Sequence, residues 1–241
     1  MTATQPEQAQ QALKRIYLIS GLGADERLFE RLKWEGYEPV HIHWEKPQRQ
    51  ESIEDYAKRL AGQITTPCPT IVGLSFGGII AIEIAKQIDV ESVIVISSAK
   101  TSLEIPTYFK LFRWFPIYRW FPFKQVLWAL YWVLYWFFGV SKPEDRQLLK
   151  AVLMDTDIDF LRWAMERVVM WNNSVVPERL YHVHGMGDRI FPLRWAKPDL
   201  RINQGGHLMV WNQAEELSTS LAKILAQHQQ PEKPTPLLVT E

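Results

Sequence analysis

Pro69-Thr-Ile-Val-Gly73-Leu-Ser75-Phe-Gly77-Gly-Ile-Ile-Ala-Ile-Glu-Ile-Ala-Lys-Gln-Ile88 is the stretch whose reading decides the fold. Its first part, Pro69 to Gly73, is a short apolar run that predicts a strand, and Phe76 to Ile88 carries apolar residues at helical spacing. Gly73-Leu74-Ser75-Phe76-Gly77 fits G-x-S-x-G at the junction of the two. There a serine sits on a tight turn, and glycines two residues away on each side let strand and helix pass without collision. The hydroxyl is presented outward. At the start of the helix, the Phe76 amide is free to face developing negative charge, which makes it a candidate oxyanion donor. The plainer alternative is an ordinary turn rich in small residues.

Working outward, Arg15 to Ser20, Glu38 to Trp44, Val90 to Ser97, Leu180 to His184 and Leu200 to Asn203 read as strands. Helical stretches lie between them. Asp25 to Lys33 is a short one, Ser52 opens another with Asp55 three residues on as in a capping box, and Gln213 to Ala226 is the last. Strands alternating with helices predict an α/β fold: a parallel sheet covered by helices on both faces, built from residues 14–98 and 177–227. Residues 99–176 break the alternation with many of the chain's 11 tryptophans, and are expected to form an inserted helical lid. The ends, 1–13 and 228–241, lack apolar periodicity and are expected to be flexible tails. No repeat exists at domain scale, although Arg113-Trp-Phe-Pro116 recurs as Arg119-Trp-Phe-Pro122.

A serine hydroxyl is a weak nucleophile at neutral pH, so the turn needs a histidine base and a carboxylate to orient it. Asp188 follows one strand in His184-Gly-Met-Gly-Asp188, and His207 follows the next in Gln204-Gly-Gly-His207. The order Ser, Asp, His places each on a loop after a strand, where open α/β sheets build their sites. His41, His43, His182 and His184 are rivals for the base, but their alternation within strands suits core or edge positions. His228 lies in the expected tail. The loop after Ser97 offers no alternative carboxylate. Neither a metal-ligand spacing nor a phosphate loop is present, so no cofactor or metal is expected.

Ser20-Gly-Leu-Gly23, GLSFGG, HGMGDRIFP and GGH, in that order over about residues 14 to 227, resemble the small lidded α/β-hydrolases that include carboxylesterases and lipases. The resemblance implies a minimal, mostly parallel sheet of about six strands. It also implies an acyl-Ser75 intermediate, an oxyanion hole of the Leu22 and Phe76 amides, and water activated by His207. Many members carry His-Gly where this chain has Ser20-Gly21, a departure that bears on loop packing more than on the backbone donor.

Lysines plus arginines number 27 and acids 27, so no global charge draws the chain to nucleic acid. The single cysteine, Cys68, lies between two prolines without a neighbouring histidine and reads as a structural thiol. Met1 to Arg15 lacks the apolar run of a signal peptide, which predicts a cytoplasmic protein. Tyr108 to Val140 concentrates Trp, Phe and Tyr, and its uncharged part, Val126 to Val140, is too short to span a bilayer. Lys110, Arg113, Arg119 and Lys124 between the rings allow peripheral membrane contact, and two such surfaces could pair in a homodimer. Aromatic walls favour a small-molecule ester, or thioester, with an apolar acyl group. Two alternatives remain: a prolyl-type aminopeptidase, with Glu104, Asp155, Asp157, Asp159 or Glu166 holding the amine, and a lidded scaffold that binds without catalysis.

Overall fold

The computed structural model describes residues 13–115 and 131–227. The expected tails, except Leu13, and residues 116–130 of the aromatic stretch lie outside the described residues. Six strands form one sheet: β1 (Lys14–Ile19), β2 (Tyr37–Ile42), β3 (Thr70–Leu74), β4 (Ser92–Ile96), β5 (Leu180–Gly185) and β6 (Leu200–Ile202). Their spatial order is β2-β1-β3-β4-β5-β6. Every described pairing is parallel, so the sheet is more uniform than "mostly parallel" implied. From β1 the chain steps outward to β2, then crosses back to place β3 on the other side of β1. That reversal opens a crevice beyond the carboxyl ends of β1 and β3, where ligands bind in sheets of this kind.

Alternation along the strands divides the core in two. Ile16, Leu18, Val72, Leu74, Ile94 and Ile96 point to one face, and Tyr17, Ile19, Ile71, Val93 and Val95 to the other. The first face is covered by α8 (Ala214–Gln227) through Leu217, Leu221, Ile224 and Leu225. A short helix, α7 (Met209–Asn212), precedes it, outside the helix expected from Gln213 to Ala226. The second face packs on α1 (Ile53–Ala61) and α2 (Phe76–Ala85). In α1 the buried residues Ile53, Tyr56, Ala57 and Leu60 recur at helical spacing. Each large apolar side chain so buried contributes about 1.5–3 kcal/mol. Helix α2 is buried around almost its whole circumference, as a central crossover helix should be.

Ser52 caps α1 as expected, accepting from the Asp55 amide at 3.0 Å. The reciprocal contact differs: Asp55 accepts from the Ser52 hydroxyl at 2.7 Å rather than from its amide. Asp25 to Lys33 contains only the 3₁₀ turn Glu26–Phe29, with Asp25 at its N-cap. Cys68 is exposed in the loop before β3.

Between β4 and β5 the described chain holds no strand. It forms α3 (Thr107–Leu111), α4 (Tyr131–Phe138), α5 (Pro143–Asp155) and α6 (Ile158–Met170). Asp157 caps α6 by accepting from the Asp159 and Phe160 amides. Phe160 and Trp163 of α6 pack with Trp44, Tyr56 and Phe76, which fastens α6 over the carboxyl end of the sheet. Helix α4, Tyr-Trp-Val-Leu-Tyr-Trp-Phe-Phe, buries none of its residues. Among the described residues no helix is long and apolar enough to cross a membrane.

Candidate active site

Ser75 follows β3 directly and stands at the N-terminus of α2 with φ 53° and ψ −119°. A non-glycine residue is held in this region only when its surroundings over-determine it. Those surroundings are backbone, with one side-chain hydroxyl. The Ser75 amide donates to the Ile96 carbonyl at 2.9 Å, and its own carbonyl accepts from the Gly78 amide at 2.9 Å and the Ser98 hydroxyl at 2.7 Å. A Cβ at Gly77 would lie 2.2 Å from the Ser20 carbonyl oxygen, and one at Gly73 would lie 2.3 Å from that of Gly77. The glycines are therefore demanded by close approach of β1, β3 and α2.

His207 arrives on the loop after β6, and Asp188 on the loop after β5. Gly185 and Gly205 bring those loops together, since a Cβ on Gly185 would lie 2.3 Å from the Gly205 carbonyl oxygen. The Gly187 amide donates to that same carbonyl at 2.8 Å. The three sequence-predicted side chains meet as a result. His207 Nε2 is 2.9 Å from Ser75 Oγ, and His207 Nδ1 is 2.8 Å from Asp188 Oδ2. Asp188 Oδ1 accepts from the Ile190 and Phe191 amides, both at 2.8 Å. Asp188 and His207 are buried, and Ser75 is half-buried. Burial alone would raise the Asp188 carboxyl, but the charge and hydrogen bond of His207, with the Phe191 amide, hold it below the usual carboxylate range. The rings of Phe138 and Phe191 lie 5.5 and 5.9 Å from His207.

Leu22 follows β1 across the crevice. Ser20 closes the loop after β1: its buried hydroxyl donates to the Ala24 carbonyl at 2.5 Å, and the Ala24 amide donates to the Gly21 carbonyl at 3.0 Å. This closes the turn and leaves the Leu22 amide without a hydrogen-bond partner among the described residues. The Phe76 amide, first in α2, has no intrahelical acceptor. Leu22, Ser75 and Phe76 line one cleft of about 80 Å³ with Ile79, Phe109, Val168, Phe191 and other apolar residues. Ser75 supplies its polar group.

Of the rival histidines, His182 and His184 are fully buried in β5, His41 is half-buried and His43 exposed. His228 lies outside the described residues. The acids weighed for amine binding are engaged elsewhere. Glu104 accepts from the Lys100 and Lys197 amides, Asp155 pairs with Arg27, Asp157 caps α6, and Asp159 and Glu166 meet Arg162 and Arg167. Among the described residues no group of three or more His, Cys, Asp or Glu is placed to hold a metal. Two contacts escaped the sequence reading. Ser98 braces the Ser75 carbonyl, and His184 reaches the Phe191 carbonyl at 2.7 Å. The alternation His182-Val-His184 was the visible signal of the second.

No family model matches the chain, and no curated protein matches it. Solved structures do. A carboxylesterase of the archaeon Nitrososphaera gargenis matches at 15% identity and TM-score 0.67 over 90% of this chain and 91% of that one. A thermophilic esterase from Thermogutta terrifontis matches at 15% identity and TM-score 0.66 over the same shares. A bromoperoxidase from Bacillus anthracis matches at 17% identity and TM-score 0.64 over 89% and 92%. At these identities the likeness shows the fold: the chain has the α/β-hydrolase fold.

Proposed function

We propose that this α/β-hydrolase-fold chain is a serine hydrolase that cleaves an ester, or thioester, of a small apolar acyl group through an acyl-Ser75 intermediate. One observation carries the reading: a single imidazole, His207, bonds to Ser75 Oγ through one nitrogen and to a buried carboxylate through the other. Asp188 fixes the Nδ1–H tautomer, which leaves the Nε2 lone pair toward the hydroxyl. His207 takes the Ser75 proton as Oγ attacks the carbonyl carbon, and the oxyanion forms toward the Leu22 and Phe76 amides. The proton then passes to the departing alcohol or thiol. Water, deprotonated by His207, attacks the acyl-serine and releases the acid while His207 returns the proton to Oγ.

The apolar cleft beside Ser75 receives the acyl group. About 80 Å³ is small against the roughly 300–1,000 Å³ of drug-sized sites, which favours short acyl chains. An aminopeptidase would need an acid in this cleft to hold the amine, and its described lining contains none. The fold is also known in chains of other chemistry, as the bromoperoxidase illustrates. A p-nitrophenyl ester series of increasing acyl length, with fluorophosphonate labelling, tests the reading. Wild type is expected to prefer short acyl groups and to be labelled at Ser75, and Ser75→Ala to lose roughly 10⁶-fold in kcat. Activity within about tenfold of wild type in Ser75→Ala would overturn the assignment.

A second reading concerns where the enzyme works. Helix α4 is apolar on all sides yet leaves Trp132 71% and Trp136 56% exposed, with Trp114 80% exposed after α3. Arg189, Arg146 and Lys150 stand over the rings of Trp136, Tyr135 and Tyr131 at 4.3 to 5.3 Å. Rings at headgroup depth beside cations are the mix that binds an anionic lipid surface peripherally. We read the inserted helices as a lid whose outer face rests on such a surface.

A further inference from the structure

We propose that His184 is a positioning residue: its Nε2–H holds the Phe191 carbonyl, and through it the turn that aims Asp188 at His207. The inference rests on the serine-hydrolase reading for its kinetic consequence, but its geometry is independent of that reading.

Alternation in β5 puts His182 and His184 on one face, both fully buried, with rings 4.9 Å apart at 87°. Packing alone is a poor reason to bury two imidazoles, because each carries a donor and an acceptor that need partners. Their hydrogen bonds run in one direction. The Phe191 carbonyl can only accept, so the proton of His184 sits on Nε2, 2.7 Å from that oxygen. Neutral His184 then accepts at Nδ1, and His182 Nε2–H donates to it at 2.9 Å. His182 Nδ1, at the far end, lies 4.0 Å from Glu104 Oε2 and beside the Ser98 backbone. The Phe191 end sets the polarity of the pair, because a carbonyl offers no proton.

Burial keeps both rings neutral, pushing His182 down to about 2 and His184 below its ordinary value. The charged groups around them are Lys100 and Glu104 beside His182, Asp199, which accepts from the His182 amide, and Asp188 and His207 beside His184. Asp188 Oδ2 is 3.6 Å from His184 Nε2, so a neutral His184 leaves that oxygen to His207 at 2.8 Å.

What His184 holds is a short turn with two outputs. The Phe191 amide and the Ile190 amide fix Asp188 Oδ1, while the Phe191 side chain walls the cleft and lies against His207. Anchoring the Phe191 carbonyl therefore fixes the carboxylate and the acyl wall together. His182 keeps His184 in the tautomer that can do so.

Two variants and two readouts decide the matter. His184→Gln retains an N–H at the position of Nε2, whereas His184→Phe fills the space without a donor. His184→Phe is expected to lose about 100-fold in kcat on a p-nitrophenyl ester, the scale of an ångström of misplacement, and His184→Gln to recover most of it. The second readout needs no turnover. In NMR spectra of wild type, His184 is expected as the Nε2–H tautomer, with a strongly downfield proton in the His207–Asp188 hydrogen bond. That proton is expected to vanish in His184→Phe and to persist in His184→Gln. A folded His184→Phe with wild-type kcat and an unchanged downfield proton would overturn the proposal. So would an Nδ1–H tautomer at His184, or equal loss in both variants. If wild type neither turns over esters nor takes the fluorophosphonate label, the hydrolase reading fails while the NMR arm still judges the positioning geometry.

Discussion

The loops at the carboxyl edge of the sheet and the helices inserted between β4 and β5 treat their surface in opposite ways. At the edge, Ser75, His207 and Asp188 are linked atom to atom, and Asp188 is further bound by two amides. In the insert, α4 exposes tryptophans that a chain in water would bury. At the edge each polar group meets another of the same molecule, whereas Trp132 and Trp136 of α4 stand 71% and 56% exposed. Polar groups with few geometric solutions therefore carry the proposed reaction, while apolar surface, which is indifferent to direction, leaves the substrate and its source open.

The contrast can be broken most sharply at the edge. Asp188→Asn should keep the fold but remove the group that selects the His207 tautomer, with an expected fall of about 10⁴-fold in kcat. A loss below about tenfold would mean that the carboxylate does not orient the base. Gly77→Ala, which drives a methyl group into the Ser20 carbonyl, should cost about 3 kcal/mol in urea unfolding. An unchanged urea midpoint would mean that the elbow is looser than its close contacts imply.

Acid sharpens the same comparison. His182 and His184 are held neutral in the folded chain, so below their ordinary value of about 6.5 the unfolded chain binds protons that the folded chain refuses. Stability is expected to be full above about pH 6.5 and to fall as pH drops, by up to about 1.4 kcal/mol per pH unit for each histidine. Asp188 adds to the loss only below about pH 4, where the unfolded carboxyl takes up its proton. Urea midpoints for wild type and His182→Gln between pH 7 and pH 5 measure the slope, which should flatten in the variant.

The smallest intramolecular effect belongs to the insert. Trp132→Ser with Trp136→Ser should change stability by no more than about 0.5 kcal/mol per site. It should also leave hydrolysis of a soluble short ester near wild type, yet abolish co-sedimentation with phosphatidylserine vesicles. Wild type that ignores the vesicles but runs as a dimer, with monomers on mutation, would assign the face to a second copy of the chain instead.

Much of this was legible before any coordinates. Expected strand ends at Gly73 and His184 and the spacing of GLSFGG, HGMGD and GGH carry enough constraint to name Ser75, Asp188 and His207 as candidates, because elbow and loop geometries admit few residue types. The switch point between β1 and β3 followed only from the strand order, which periodicity does not encode. His184 escaped because a buried histidine in a strand looks like any core residue until the carbonyl it meets is known. The insert resisted for a different reason. Its aromatic run has no alternation to say which rings face inward, and in α4 Tyr135 and Phe138 lean on the core while Trp132 and Trp136 stand exposed.

Ser75 and His207 are 132 residues apart in the chain. At synthesis rates of about 5–20 residues per second, the serine precedes its base out of the ribosome by roughly ten seconds. On the proposed mechanism the emerging elbow carries an unactivated hydroxyl through that interval. On the proposed mechanism reactivity switches on only after the last strand, so a fluorophosphonate label would count only molecules whose synthesis and folding have reached His207.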